Sequence, residues 1–103
     1  MEKQKKLPLI TPGEILLEEF LKPLDMNAHQ LSLALRVPAN RITGIIDGKR
    51  AISGDSALRL ARYFGISAKF WINLQSNYEL RKAEDELAKK IAREVQPRQR
   101  NAA

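Results

Sequence analysis

An all-α fold is predicted by three observations. Apolar residues recur at the i, i+3, i+4 spacing of one helix face, and the punctuation reads as helix starts and stops. No alternating apolar–polar pattern outlasts a few residues. Together these predict about five helices with short connections, the last much longer than the rest.

The first helix opens at Thr11-Pro12-Gly13-Glu14, where a capping Thr precedes a first-turn Pro and Glu14 stands three residues on. Ile15, Leu16, Leu17, Phe20 and Leu21 follow as its apolar stripe, which halts before Pro23. Asn27 with Gln30 repeats the start signal, and Leu31, Ala34 and Leu35 form the next stripe. Pro38 opens a third short helix through Ile42, Ile45 and Ile46, with Gly48 as its left-handed cap. Ser53 starts a fourth, with Ala57, Leu58, Ala61 and Phe64 as the expected buried stripe and Gly65 as its end. Ser67 caps the last helix, whose pattern persists to about Val95, before Pro97.

Composition removes most other function classes. The 103 residues suffice for one domain, and no cysteine is present, so disulfides, thiolate catalysis and cysteine-based zinc sites are excluded. His29 is the sole histidine, so a His-rich metal site is excluded too. The chain has no Gly-rich phosphate loop and no nucleophile elbow. Glu18 and Glu19 are helix neighbours whose side chains diverge by about 100° and suit solvated surface rather than a paired-carboxylate site. His29, in the first turn of a helix, suits a surface or capping role. Neither an enzyme nor a cofactor is expected. With no apolar run long enough to span a membrane and no signal-peptide core, a cytoplasmic location is expected. The net charge of +6 points toward an anionic partner, nucleic acid foremost.

The informative segment runs from Asn27 to Arg50. Two short helices joined by a tight connection at Arg36-Val37-Pro38 have the grammar of a helix-turn-helix, in which the second helix enters the DNA major groove. Leu31, Ala34, Leu35 and Val37 are expected to pack on Ile42, Ile45 and Ile46. That leaves Ala39, Asn40, Arg41, Thr43, Gly44 and Asp47 facing outward. Asn bonds adenine bidentately, Arg does so with guanine, and Thr offers a hydroxyl and a methyl to thymine. Ala39 and Gly44 are small enough for close approach to base edges. Arg36, Lys49 and Arg50 sit at the helix junction and just past the second helix, where phosphate contacts fall. Pattern alone leaves a plain helical bundle with a solvated charged face as the competing account.

A resemblance narrows the choice. Leu31 to Lys49 resembles the helix-turn-helix of phage repressor/Cro-type regulators, on Ala34, Val37, Ile42 and Asp47-Gly48-Lys49. T-P-G-E-I-L-L-E-E-F-L-K-P-L at Thr11 to Leu24, D-G-K-R-A-I-S at Asp47 to Ser53, A-L-R-L-A-R-Y-F-G at Ala57 to Gly65 and F-W-I-N-L-Q-S-N-Y-E-L at Phe70 to Leu80 together resemble the HigA (VapI-like) antitoxins. The similarity covers Leu7 to Ala83, in order and with matching spacing. The resemblance implies a repressor-like helix-turn-helix domain and a two-part function. Such proteins are homodimeric repressors of palindromic operators in double-stranded DNA, and they neutralise a RelE-like toxin, a messenger RNA endonuclease. Carried over by position, Ala39, Asn40, Arg41, Thr43 and Gly44 are implied base readers. Ser32 joins Arg36, Lys49 and Arg50 as a phosphate contact. Two positions depart from the pattern: Arg36 stands where a Gly commonly ends the first helix, and Gly44 has no side chain at a position often used for base contact.

Past the domain core, Leu80, Ala83, Leu87, Ile91 and Val95 continue an apolar stripe along the last helix, helped by Ala88 and Ala92. A homodimer seam is the expected account of it, the alternatives being that the helix folds back on its own domain or that its last turns fray. Asp85 with Lys89 and Glu86 with Lys90 are spaced to pair on the outer face. Trp71 is expected in the core with Leu74 and Tyr78, the alternative being an exposed anchor for a partner. The expected division is a basic flexible arm over 1–10, the helix-turn-helix domain over 11–80, a helical extension over 81–96 and a disordered tail over 97–103. Lys3, Lys5 and Lys6 in the arm suit either DNA or an acidic partner. Other readings of the whole chain are an orphan regulator without a toxin, or a protein-interaction module that no longer binds DNA.

Overall fold

The computed structural model describes residues 9–99, and among them every regular element is helical. Most of the arm, with Lys3, Lys5 and Lys6, and residues 100–103 of the tail lie outside the described residues.

Helix α1 spans Pro12–Ile15 and winds on as a wider π-helical stretch, Leu16–Leu21. Thr11 and Glu14 form the reciprocal capping box, with bonds of 2.9 and 3.1 Å. The widened turn, with the Lys22 amide donating to the Leu17 carbonyl, immediately precedes Pro23. A proline ring cannot follow in an α-helical turn, because it strikes the carbonyl four residues back. Helix α2 spans Ala28–Leu35 and begins with the second capping box, Asn27 with Gln30. Helix α3 spans Ala39–Ile46 with Pro38 as its cap, and α4 spans Gly54–Phe64, capped by Ser53 and closed by Gly65 at φ +76°.

Helix α5 spans Ala68–Glu94, about 40 Å at 1.5 Å per residue. It ends one residue short of the predicted stripe. Val95 is its extended cap, and Pro97 follows too closely for another α-helical turn.

The core gathers Leu16, Leu21, Leu31, Leu35, Ile42, Ile45, Ile52, Ala57, Leu60 and Trp71 from all five helices and the α3–α4 connection. Trp71 is fully buried, which settles its role as packing rather than as an exposed anchor. Phe20, Phe64 and Phe70 surround its ring at centroid distances of 4.8, 6.0 and 5.0 Å. This cluster binds α1, α4 and α5 into one body, and α2 and α3 pack on it as a pair.

Two expected core positions fall elsewhere. Ala34 is exposed, and the small residue buried in α2 is Ser32, one position after Leu31. Leu58 is also exposed, and Leu60 takes the buried place on α4. In both helices the spacing admits neighbouring registers, and the partner helix selects one of them. No described helix is long and apolar enough to cross a membrane.

Candidate nucleic-acid interface

The α2–α3 connection is built by a left-handed residue. Arg36 adopts φ 60° and ψ 47°, so it takes the conformation that glycine usually supplies at a helix C-terminus. The cost for a residue with a Cβ is about 1–2 kcal/mol. The Val37 amide bonding the Ser32 carbonyl at 3.0 Å helps to hold the turn. The departure in sequence at Arg36 therefore leaves the left-handed turn in place, and Arg36 is exposed.

Ile42 and Ile45 anchor α3 in the core. At about 100° per residue, Ala39, Asn40 and Thr43 share one sector of about 100° on the opposite side. All three are exposed, as expected for base readers. Lys49 and Arg50 follow directly and are exposed as well. Their amides donate to the Gly44 carbonyl at 2.9 and 3.0 Å, which folds the chain back against the end of α3.

Three predicted site residues sit differently from the expectation. Ser32 is only 2% exposed, and its hydroxyl donates to the His29 carbonyl one turn back on α2 at 2.7 Å, so it is buried rather than presented on the surface as a phosphate contact would be. Gly44 is half-buried beneath Arg50, whose Cβ lies 3.2 Å from where a Gly44 Cβ would stand. Its missing side chain makes room for the Arg50 stem, so the group presented there is Arg50. Arg41 lies a further 100° or so round α3 from Asn40, on the flank toward α4, with its side chain 28% exposed.

Arg41 is held there by Asp55, in the first turn of α4. The Asp55 Oδ2 accepts from Arg41 Nη1 and also from Arg59 Nε at 3.0 Å. Arg59 Nη1 donates in turn to the Leu35 carbonyl at the end of α2, at 2.8 Å. One carboxylate thus ties the ends of three helices together. The hydrogen bond from Arg59, and after it that from Arg41, holds the Asp55 carboxyl below the ordinary aspartate range. A lowered carboxyl contributes fully above the unfolded value of about 3.9 and is lost as pH falls through the folded value, so the cluster is intact at neutral pH.

Sequence reasoning missed Asp55, Arg59 and Gln75. The i, i+4 spacing of Asp55 and Arg59 is legible, whereas the link to Arg41 spans fourteen positions and leaves no periodic trace. Gln75 on α5 accepts the Ile52 amide at 2.9 Å and so fixes the loop that carries Lys49 and Arg50 toward α4.

Beyond Tyr78 the long helix leaves the core. Leu80, Ala83, Leu87 and Ile91 fall within a sector of about 80°, and Leu80, Leu87 and Ile91 are 61%, 41% and 48% exposed. The predicted stripe is therefore real and uncovered within one chain. On the polar side Lys90 pairs with Glu94 at 3.3 Å instead of the expected Glu86.

Residues 17–71 match the helix-turn-helix family. The chain is 48% identical to virulence-associated protein I of Dichelobacter nodosus, over 81% of this chain and 77% of the relative. It is 32% identical to antitoxin HigA-1 of Vibrio cholerae, over 78% and 74% of the two chains. The solved structure of the Pseudomonas aeruginosa antitoxin HigA with the higBA promoter superposes at a TM-score of 0.84 and 46% identity, covering 87% of this chain and 98% of that one.

Proposed function

Because this chain belongs to the HigA/VapI-like family of helix-turn-helix antitoxins, we propose that it neutralises a RelE-like toxin and represses its own operon as a cytoplasmic homodimer on a palindromic operator. The family is one of DNA-binding regulators and antitoxins, not of enzymes. The observation that carries the DNA part is the exposed face of α3, with Ala39, Asn40 and Thr43 at its centre and Arg36, Lys49 and Arg50 around it. A promoter is also what the related Pseudomonas aeruginosa antitoxin was solved with.

In this reading α3 lies in the major groove of each half-site. Asn40 and Thr43 meet base edges, Ala39 allows close approach, Arg41 reaches in from the flank, and Arg36, Lys49 and Arg50 bind phosphates. Lys49→Ala is expected to weaken operator and scrambled duplexes alike and to lower the salt slope of binding by about one. Fluorescence anisotropy over a salt series measures both. A loss confined to the operator would remove Lys49 from the phosphate set.

The uncovered stripe of α5 is the proposed dimer seam, which would set two recognition helices about one DNA turn apart. Burying a Leu or Ile side chain contributes about 1.5–3 kcal/mol, so two charges placed in the seam should abolish it. The Leu87→Glu, Ile91→Glu double variant is expected to sediment as a monomer and to bind the operator at least about tenfold more weakly, having lost the linked half-site. A double variant that remains a dimer would place the seam elsewhere.

The toxin part is tested by inducing the neighbouring small reading frame alone and then together with this chain. Growth arrest that this chain relieves supports the antitoxin reading. A harmless neighbour would leave a regulator without a toxin.

A further inference from the structure

The structure assigns to Asp55 the positioning of Arg41, and with it part of the sequence specificity of α3. The inference rests on the DNA-reading function proposed above. Three observations carry it. Arg41 stands on the flank of α3 rather than on its exposed face, so where its guanidinium goes is decided by what holds it there. The holder is Asp55, which makes contact at Nη1. A guanidinium has five N–H donors in a rigid fork, so a contact at one corner leaves others for the O6 and N7 of a guanine.

Asp55 is itself placed from a second direction. The oxygen that meets Arg41, Oδ2, also accepts from Arg59 Nε, and Arg59 is anchored on the Leu35 carbonyl that ends α2. The carboxylate therefore sits in the angle between α2, α3 and α4, and Arg59 holds it from a second side. That is what a positioning group requires, since a carboxylate free to swing would follow Arg41 rather than fix it.

The same contact restrains non-specific binding. A long cation on the rim of a DNA-binding face will take any phosphate within reach, and phosphate contacts carry no sequence information. Pairing with Asp55 sets a competitor against the phosphate. It also holds the guanidinium at one place on the flank of α3, with its other donors left for a guanine. Specificity is a ratio of two affinities, and Asp55 acts on both of them.

The test uses the full chain and two duplexes: the site that the wild-type protein enriches from a randomised pool, and a scrambled duplex of equal length. Asp55→Asn keeps the size of the side chain and removes its charge. It is expected to tighten the scrambled duplex several-fold and to lower the operator-to-scrambled ratio at least about fivefold. In a repeated selection it is expected to relax the base preference at one position per half-site. Asp55→Glu should restore most of the ratio. In an Arg41→Ala background Asp55→Asn should change the ratio no further, which a general loss of helix packing would not reproduce. An unchanged ratio in Asp55→Asn, or an equal change with Arg41 absent, overturns the assignment of Asp55 while leaving DNA reading in place. Failure of the wild-type protein to enrich any sequence overturns both.

Discussion

Gly13→Ala is expected to lower the melting temperature by more than about 10 °C. In a helix the exchange normally stabilises by about 0.5–1 kcal/mol, since alanine is the better helix former and restricts the unfolded chain. The tertiary contact reverses the sign. A Cβ on Gly13 would lie 2.0 Å from the Ile45 carbonyl oxygen and 2.7 Å from both Ile46 Cα and the Ile46 carbonyl oxygen. All three are backbone atoms, so no side-chain rotation relieves the clash, and α1 must move away from the end of α3. Overpacking of this kind costs about 3 kcal/mol, and in a domain this small each kcal/mol shifts the midpoint by about 4–8 °C. Thermal unfolding followed by circular dichroism measures it. A midpoint at or above the wild-type value would show that the α1–α3 contact yields easily. Because Lys49 and Arg50 closely follow the end of α3 that the new Cβ would strike, weaker DNA binding should accompany the loss of stability.

Arg41→Ala is expected to weaken the enriched operator by about 1–3 kcal/mol, some 5- to 150-fold, and to relax the base preference at one position of each half-site. A half-exposed surface pair contributes little to folding, so the melting temperature should move far less than for Gly13→Ala. Anisotropy titrations against operator and scrambled duplexes separate the two possible roles. A base reader loses the operator selectively, whereas a phosphate contact loses both in proportion. Proportional loss would move Arg41 into the set with Lys49, and unchanged binding would leave it as a tie between α3 and α4. Asp55 retains Arg59 in this variant, and Arg59 keeps its bond to the Leu35 carbonyl, so the tie between α2 and α4 stays in place when Arg41 is removed.

The helices of this protein were legible because their signals are local. Capping boxes at Thr11–Glu14 and Asn27–Gln30, left-handed Gly65 and the apolar period need only neighbours within a turn or two. The exposed face of α3 followed in the same way, since burying Ile42 and Ile45 turns Ala39, Asn40 and Thr43 outward. The stripe at Leu80, Leu87 and Ile91 was readable too.

Where two registers of a stripe offered side chains of similar size, sequence spacing had no means of choosing. Ser32 and Ala34 are both small, and positions 58 and 60 are both leucine, so the packing of the partner helix decided which of each pair is buried. The same holds for contacts across the chain. Arg41 meets Asp55 over fourteen positions, Ile52 meets Gln75 over twenty-three, and Gly13 meets the end of α3 over more than thirty. Local free energies fix helix ends and faces because those groups are already adjacent along the chain. Which flank a long side chain takes, and how closely two backbones approach, is set only when the helices dock, by volume exclusion and by the positions of fixed polar groups.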